Sequence, residues 1–163
     1  MKANLPLRWV PGPSPKGYGD HEVEWICRML LTVTGERFDA EALRVYPVDD
    51  HPLNFDLRDQ NDRLHGILWT RQVATGVLKV VAFALTPPAQ GQGHGTWIWD
   101  RLLHLASERF ETLTLEVHDG NQRAIRFYER RGLRTTARLP LYYGRGDGLR
   151  MEGPINRTTD RAT

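Results

Sequence analysis

A single cysteine, Cys27, can form neither an internal disulfide nor a cysteine-only metal site, so the chain reads as a protein of a reducing, cytoplasmic compartment with Cys27 as a small core residue. The longest apolar run, Val77 to Leu85, is broken by Lys79 and falls far short of the roughly 20 residues that cross a bilayer. The N-terminus has no apolar segment of the signal-peptide kind either, so no membrane association is expected. Net charge is only +2 with both signs interspersed, which supplies no broad cationic field and argues against a nucleic-acid partner. The six histidines show no ligand spacing with other donors, so no metal is expected. No internal repeat is visible. What is there is ordinary globular content, 40% hydrophobic and 26% charged over 163 residues, enough for one core.

The chain divides into an N-terminal extension (1–20), a single domain (21–155) and a polar tail, "NRTTDRAT", expected over 156–163. "VPGPSPKGYGD", residues 10 to 20, concentrates proline and glycine and reads as a surface loop. Asp20 or His21 then opens a helix in which Val23, Ile26 and Leu30 recur at helical spacing until Gly35, and a second short helix is expected near 39–46. From Asn54, three apolar or alternating runs separated by "QND" and "ATG" predict a three-stranded antiparallel meander. A glycine loop follows, then a helix over about 95–109, the strand "TLTLEVH", a helix over about 121–131 closed by Gly132, and two strands around "GRGDG".

The loop "QGQGHGT" stands between an apolar strand and a helix. A helix N-terminus leaves backbone N–H groups unpaired and carries partial positive charge, so a phosphate is stabilised there. Gly91, Gly93 and Gly95 remove Cβ atoms at every second position and let the backbone approach a pyrophosphate. No Gly-Lys-Ser/Thr follows, which excludes a Walker loop, and the last glycine of the dinucleotide fingerprint is missing. Taken alone, the loop also fits a glycine-rich turn that holds nothing.

A second constellation is "LEVHDGNQRAIRFYERRGL", residues 115–133. Asn121 and Tyr128 lie seven apart and share one helix face. Strand alternation puts Leu113, Leu115 and Val117 on one side and Thr114, Glu116 and His118 on the other, leaving an acid in the middle of an apolar strand. Read one at a time, the three have plainer explanations: Glu116 at a solvated strand end, Tyr128 an ordinary helix aromatic, Asn121 an N-cap.

The succession of meander, Q-x-x-G-x-G loop, helix, strand and N-x-x-A-x-x-x-Y-x-x-x-G helix resembles the GNAT superfamily of N-acetyltransferases over roughly residues 54–155. Within it, "LTPPAQGQGHG", "LEVHDGNQRAIRFYERRGL" and "LYYGRGDGLRM" are most similar to the ribosomal-protein N-terminal (alanine) acetyltransferases and their eukaryotic relatives. The resemblance implies an α/β (α+β) fold with a mixed, mostly antiparallel central sheet, splayed at the cofactor site and flanked by helices. It implies acetyl-coenzyme A as co-substrate, its pyrophosphate on Gln90, Gly91, Gln92, Gly93, His94 and Gly95, its pantetheine along Phe83, Ala84 and Leu85, and its arm beside Asn121. The loop is less cationic than the family's usual one. Glu116 takes the place of the proposed general base and Tyr128 that of the residue near the sulfur, while Tyr142 and Tyr143 stand where a tyrosine pair lines the peptide groove. No family phrase matches residues 20–50, where the groove-forming helix pair belongs.

The implied chemistry is self-consistent. An amine attacks a thioester only when unprotonated, so a carboxylate, directly or through water, must receive its proton. Deprotonating a lysine at pH 7 costs about 4 to 5 kcal/mol, against about 1 kcal/mol for an α-amine, so one modest base suits an N-terminal α-amine. The expected reaction is direct attack in a ternary complex, without a metal, by a monomer or homodimer. Two alternatives remain: an acetyltransferase for a small amine such as an antibiotic or polyamine, with Asp49 and Asp50 of "VYPVDDH" in its cleft, and a non-catalytic acyl-coenzyme-binding module.

Overall fold

The computed structural model describes residues 6–50, 52–142 and 146–156. The elements in chain order are β1 (Leu7–Pro11), α1 (Asp20–Thr34), α2 (Ala40–Arg44), β2 (Phe55–Asp59), β3 (Leu64–Ala74), β4 (Val77–Leu85), α3 (His94–Ala106), β5 (Thr112–His118), α4 (Gln122–Glu129), β6 (Arg134–Leu139) and β7 (Gly148–Pro154). Strands pair in the order β1-β2-β3-β4-β5-β7-β6, with β4 and β5 parallel and most other neighbours antiparallel. This mixed, mostly antiparallel sheet with flanking helices is the α/β architecture expected from the sequence. The chain folds as two compact units, Met1–Thr70 with Ala82–Arg101, and Arg71–Val81 with Leu102–Thr163.

In the first unit, α1 turns Val23, Ile26, Met29 and Leu30 inward, and Leu57, Ile67, Leu68 and Trp69 of β2 and β3 supply the facing core. The N-terminal segment departs from expectation. Residues 7–11 form a strand antiparallel to β2, so the stretch read as a surface loop begins inside the sheet. Pro11 fits there because β1 is an edge, where a missing N–H breaks no ladder. Tyr18, in the same stretch, is 4% exposed. Its hydroxyl donates to Asp56 Oδ1 and accepts from Trp69 Nε1 at 3.1 Å. Asp56 also receives Arg58 at 2.8 Å, and Arg58 reaches Glu22 at 2.7 Å, so strand β2, helix α1 and the N-terminal segment meet on one buried carboxylate. Burial raises both the Tyr18 phenol and the Asp56 carboxyl. Cys27 is half-buried on α1 rather than in the core, and desolvation with the nearby Asp39 charge pushes its thiol up, away from thiolate chemistry.

In the second unit, β4 pairs with β5 over Val77–Lys79 and Thr112–Thr114, and β5 pairs along its whole length with β7. The alternation read from "TLTLEVH" holds: Leu113, Leu115 and Val117 are buried at 0%, 2% and 6%. Thr114 is buried as well, and donates to Glu152 Oε1 at 3.4 Å. Helices α3 and α4 are each shorter than expected from the sequence, ending in turns at Ala106 and Glu129.

Candidate active site

The first unit carries the candidate phosphate cradle. Gly91 and Gly93 adopt φ of +75° and +85°, a left-handed backbone that L side chains rarely take, and a Cβ at either would project into open space. These glycines are required by the turn, and the ground in front of them is clear. The first α-helical bond closing the loop is Trp97 N–H to Gly93 C=O at 3.0 Å, which leaves the amides of His94 and Gly95 ahead of any intrahelical acceptor. No carboxylate lies between Thr86 and Trp99, so nothing there repels an anion. The cradle fits a pyrophosphate. Gln90 and Gln92 brace the loop: Gln90 Nε2 donates to Leu85 C=O at 2.9 Å and Gln92 Nε2 to Pro88 C=O at 2.8 Å. At the helix start, Trp9 of β1 donates its indole N–H to His94 C=O at 3.0 Å. Phe83 packs on Trp99 with ring centroids 5.8 Å apart, Ala84 is buried at 2%, and Leu85 is half-buried.

Beyond Leu85, a cleft of about 190 Å³ is lined by Trp25, Arg28, Met29, Val33, Thr86 and Pro87, among others. Thr86 Oγ1 is buried without a hydrogen-bond partner. Asp49 and Asp50, the acids available to a small-amine cleft, lie in the segment before β2, where Asp49 C=O accepts from Asn54 Nδ2 at 2.7 Å.

The second unit carries the candidate proton acceptor. Glu116 is neither at a strand end nor in open solvent. Its side chain is 11% exposed, Lys79 Nζ approaches Oε2 to 2.7 Å, and Arg150 approaches Oε1 to 3.6 Å. Strand register dictates this: Arg150 stands opposite Glu116 on β7, and Lys79 pairs with Thr114, two residues before it. Lys79 and Arg150 are not found by reading the sequence for motifs. A signal for Lys79 exists nonetheless: a lone cation in the apolar run Val77 to Leu85 and a lone acid in "TLTLEVH" form a complementary pair.

Asn121 is the N-cap of α4, its Oδ1 accepting from Ala124 N–H at 3.2 Å, a role its amide nitrogen does not share. Two helical turns on, Tyr128 is 8% exposed and meets Phe127 edge to face. Tyr142 is 48% exposed in the turn after β6, and Tyr143 lies outside the described residues. That turn is braced by Arg138, which bridges Asp119 at 3.1 Å and Asp147 at 2.8 Å, while Asp147 Oδ1 accepts from Leu141 N–H at 3.0 Å. The Leu141 amide and then Arg138 hold the Asp147 carboxyl below its ordinary range. Among the described residues, no group of three or more histidine, cysteine, aspartate or glutamate side chains is placed to hold a metal ion, and no helix is long and apolar enough to cross a membrane.

The chain is 35% identical over 147 residues to the mycothiol acetyltransferase of Gordonia bronchialis, an alignment covering 73% of this chain and 47% of that protein, so it spans about half the relative's length. Its fold superimposes on the Escherichia coli ribosomal-protein-S18-alanine N-acetyltransferase with a TM-score of 0.73 at 20% identity, covering 97% of this chain and 99% of that one. It is similar in the same way to a GNAT family acetyltransferase from Elizabethkingia anophelis with acetyl-CoA bound, TM-score 0.69 at 12% identity, covering 94% and 99%. The model of the acetyltransferase (GNAT) family matches residues 23–133, well over half of the sequence, and the chain belongs to that family of acetyl-CoA-dependent acetyltransferases.

Proposed function

We propose that the protein moves the acetyl group of acetyl-coenzyme A to a primary α-amine, most naturally the N-terminus of a protein or peptide, by direct attack within a ternary complex. The amides from Gly91 to Gly95 take the pyrophosphate, the β4 backbone at Phe83 to Leu85 takes pantetheine, Asn121 contacts the cofactor arm, Glu116 receives the amine proton, and Tyr128 donates to the departing sulfur. The observation that carries the α-amine is the surroundings of Glu116, a single carboxylate bracketed by Lys79 and Arg150. One carboxylate suffices for an amine that costs about 1 kcal/mol to deprotonate and is a weak match for one that costs about 4 to 5 kcal/mol. Two flanking cations also disfavour a polycationic acceptor such as a polyamine. The cleft between α1 and Thr86 offers room for one acceptor side chain, and Tyr142 holds one of the two sequence positions at which the family's tyrosine pair lines the peptide groove.

A second reading has its own support. The relative at 35% identity is named for mycothiol, a small molecule, so a small-molecule amine is the alternative acceptor. Acetyl transfer from acetyl-coenzyme A to a mixed panel of free-N-terminus peptides, N-blocked lysine peptides and small amines, followed by mass spectrometry, separates the two. Product on peptide α-amines alone supports the first reading. Product on small amines alone overturns it in favour of the second.

A further inference from the structure

Trp97 is the outlier among five tryptophans. Trp69 and Trp99 are buried at 1% and 0%, whereas Trp97, on α3, is 57% exposed. It lies off the helix's buried stripe of Ile98, Trp99, Leu102 and Ala106, and shares its outer face with Arg101, four residues on and also exposed. Helical side chains lean toward the N-terminus, so the indole of Trp97 leans over the turn that starts at Gly93, whose carbonyl receives its N–H. A large flat apolar face therefore flanks the exposed phosphate loop, at a rise along the helix of about 6 Å.

Charge supports the same face. Neither the loop nor the first turn of α3 contains arginine or lysine, and after Lys79 the next such residue is Arg101. Acetyl-coenzyme A carries, beyond its pyrophosphate, an adenine ring and a 3′-phosphate. An aromatic plane followed one turn later by a guanidinium matches that pair in kind: stacking for the base, charge-assisted hydrogen bonds for the phosphate. Arg101 is exposed, as is Asp100 on the neighbouring position.

We propose that Trp97 and Arg101 form the seat of the adenosine 3′-phosphate end of the cofactor, with the adenine stacked on Trp97 and the 3′-phosphate on Arg101. This rests on the assignment of the glycine loop to acetyl-coenzyme A, and it explains how a loop without cations holds a strongly anionic ligand.

Calorimetric titration of the full chain with coenzyme A, 3′-dephospho-coenzyme A and 4′-phosphopantetheine tests it. W97L is expected to weaken coenzyme A about tenfold or more while leaving phosphopantetheine unchanged, and W97F to keep most of the affinity. R101Q is expected to lose several-fold on coenzyme A and nothing on the dephospho form, by the loss of a charge-assisted contact. Equal weakening of all three ligands by W97L, or none, overturns the seat while leaving the loop assignment intact. A change in the oligomeric state of W97L by light scattering, with coenzyme A affinity unchanged, overturns it in favour of an interface between copies. Failure of the unchanged chain to bind coenzyme A overturns the seat and the loop assignment together.

Discussion

Asp56 on β2 and Glu116 on β5 are both acids within strands of the sheet, and each faces an arginine, yet their surroundings differ. Asp56 is 1% exposed and its two oxygens are divided between the Tyr18 hydroxyl and Arg58. Only one full cation touches it, burial raises its carboxyl, and its partners tie three chain segments together. Glu116 keeps 11% of its side chain in solvent and faces two cations, Lys79 and Arg150, from the strands on either side of β5. An acid within a strand thus has two meanings. An acid whose partners are local scaffolding is a clamp, and an acid that keeps part of its side chain in solvent is within reach of a substrate.

Substitution at both positions should break the parallel if it is false. Asp56→Ala leaves Arg58 and Tyr18 without their shared acceptor, and we expect a loss of about 3 to 5 kcal/mol in denaturant unfolding. Glu116→Gln should lower turnover about a hundredfold, the low end for a proton acceptor, with little change in coenzyme A affinity or in midpoint of unfolding. If Glu116→Gln instead costs stability like Asp56→Ala and spares turnover, Glu116 is a second clamp. Tyr128→Phe, read in the same steady-state assay, should lower turnover by about two- to tenfold, the worth of one neutral hydrogen bond.

The smallest effect sharpens the contrast within β2. Asp59, three residues after Asp56, is shifted the opposite way: His65 at 2.9 Å and then the amides of Arg63 and Asn61 hold its carboxyl below the ordinary value of 3.8. Its unfolded form binds the proton more tightly, so its contribution is full above pH about 4 and is lost as pH falls toward its folded value. Asp56 has the reverse sign: its folded form holds the proton more tightly, and its contribution declines as pH rises through the ordinary carboxylate range. Asp59→Asn should therefore flatten the acid side of a plot of unfolding midpoint against pH, and a steeper acid side would contradict the assignment.

Much of the fold is legible in the sequence because it is written in local patterns. The meander, the α1 spacing and the alternation of "TLTLEVH" each follow from the period of one element. β1 is not, because five residues ending in proline carry no strand signal until β2 supplies the partner, some 45 residues later. Tyr18 is hidden for the same reason, its burial being decided by Asp56 and Trp69. Among the candidate site residues, Glu116, Asn121 and Tyr128 stand out through motif order, whereas the neighbours of Glu116, Lys79 and Arg150, are fixed by register between strands, which no single stretch encodes. The N-cap of Asn121 is a local role that motif reading and hydrogen bonding describe equally well.

The bond from the Trp9 indole to the His94 carbonyl spans 85 positions of chain. A join over so long a stretch of chain carries a larger loop-closure cost than the local pairings inside it, so it is expected in the late part of folding. In pulsed hydrogen exchange the amide of Trp97, which donates to the Gly93 carbonyl, should gain protection after those of β2 and β3.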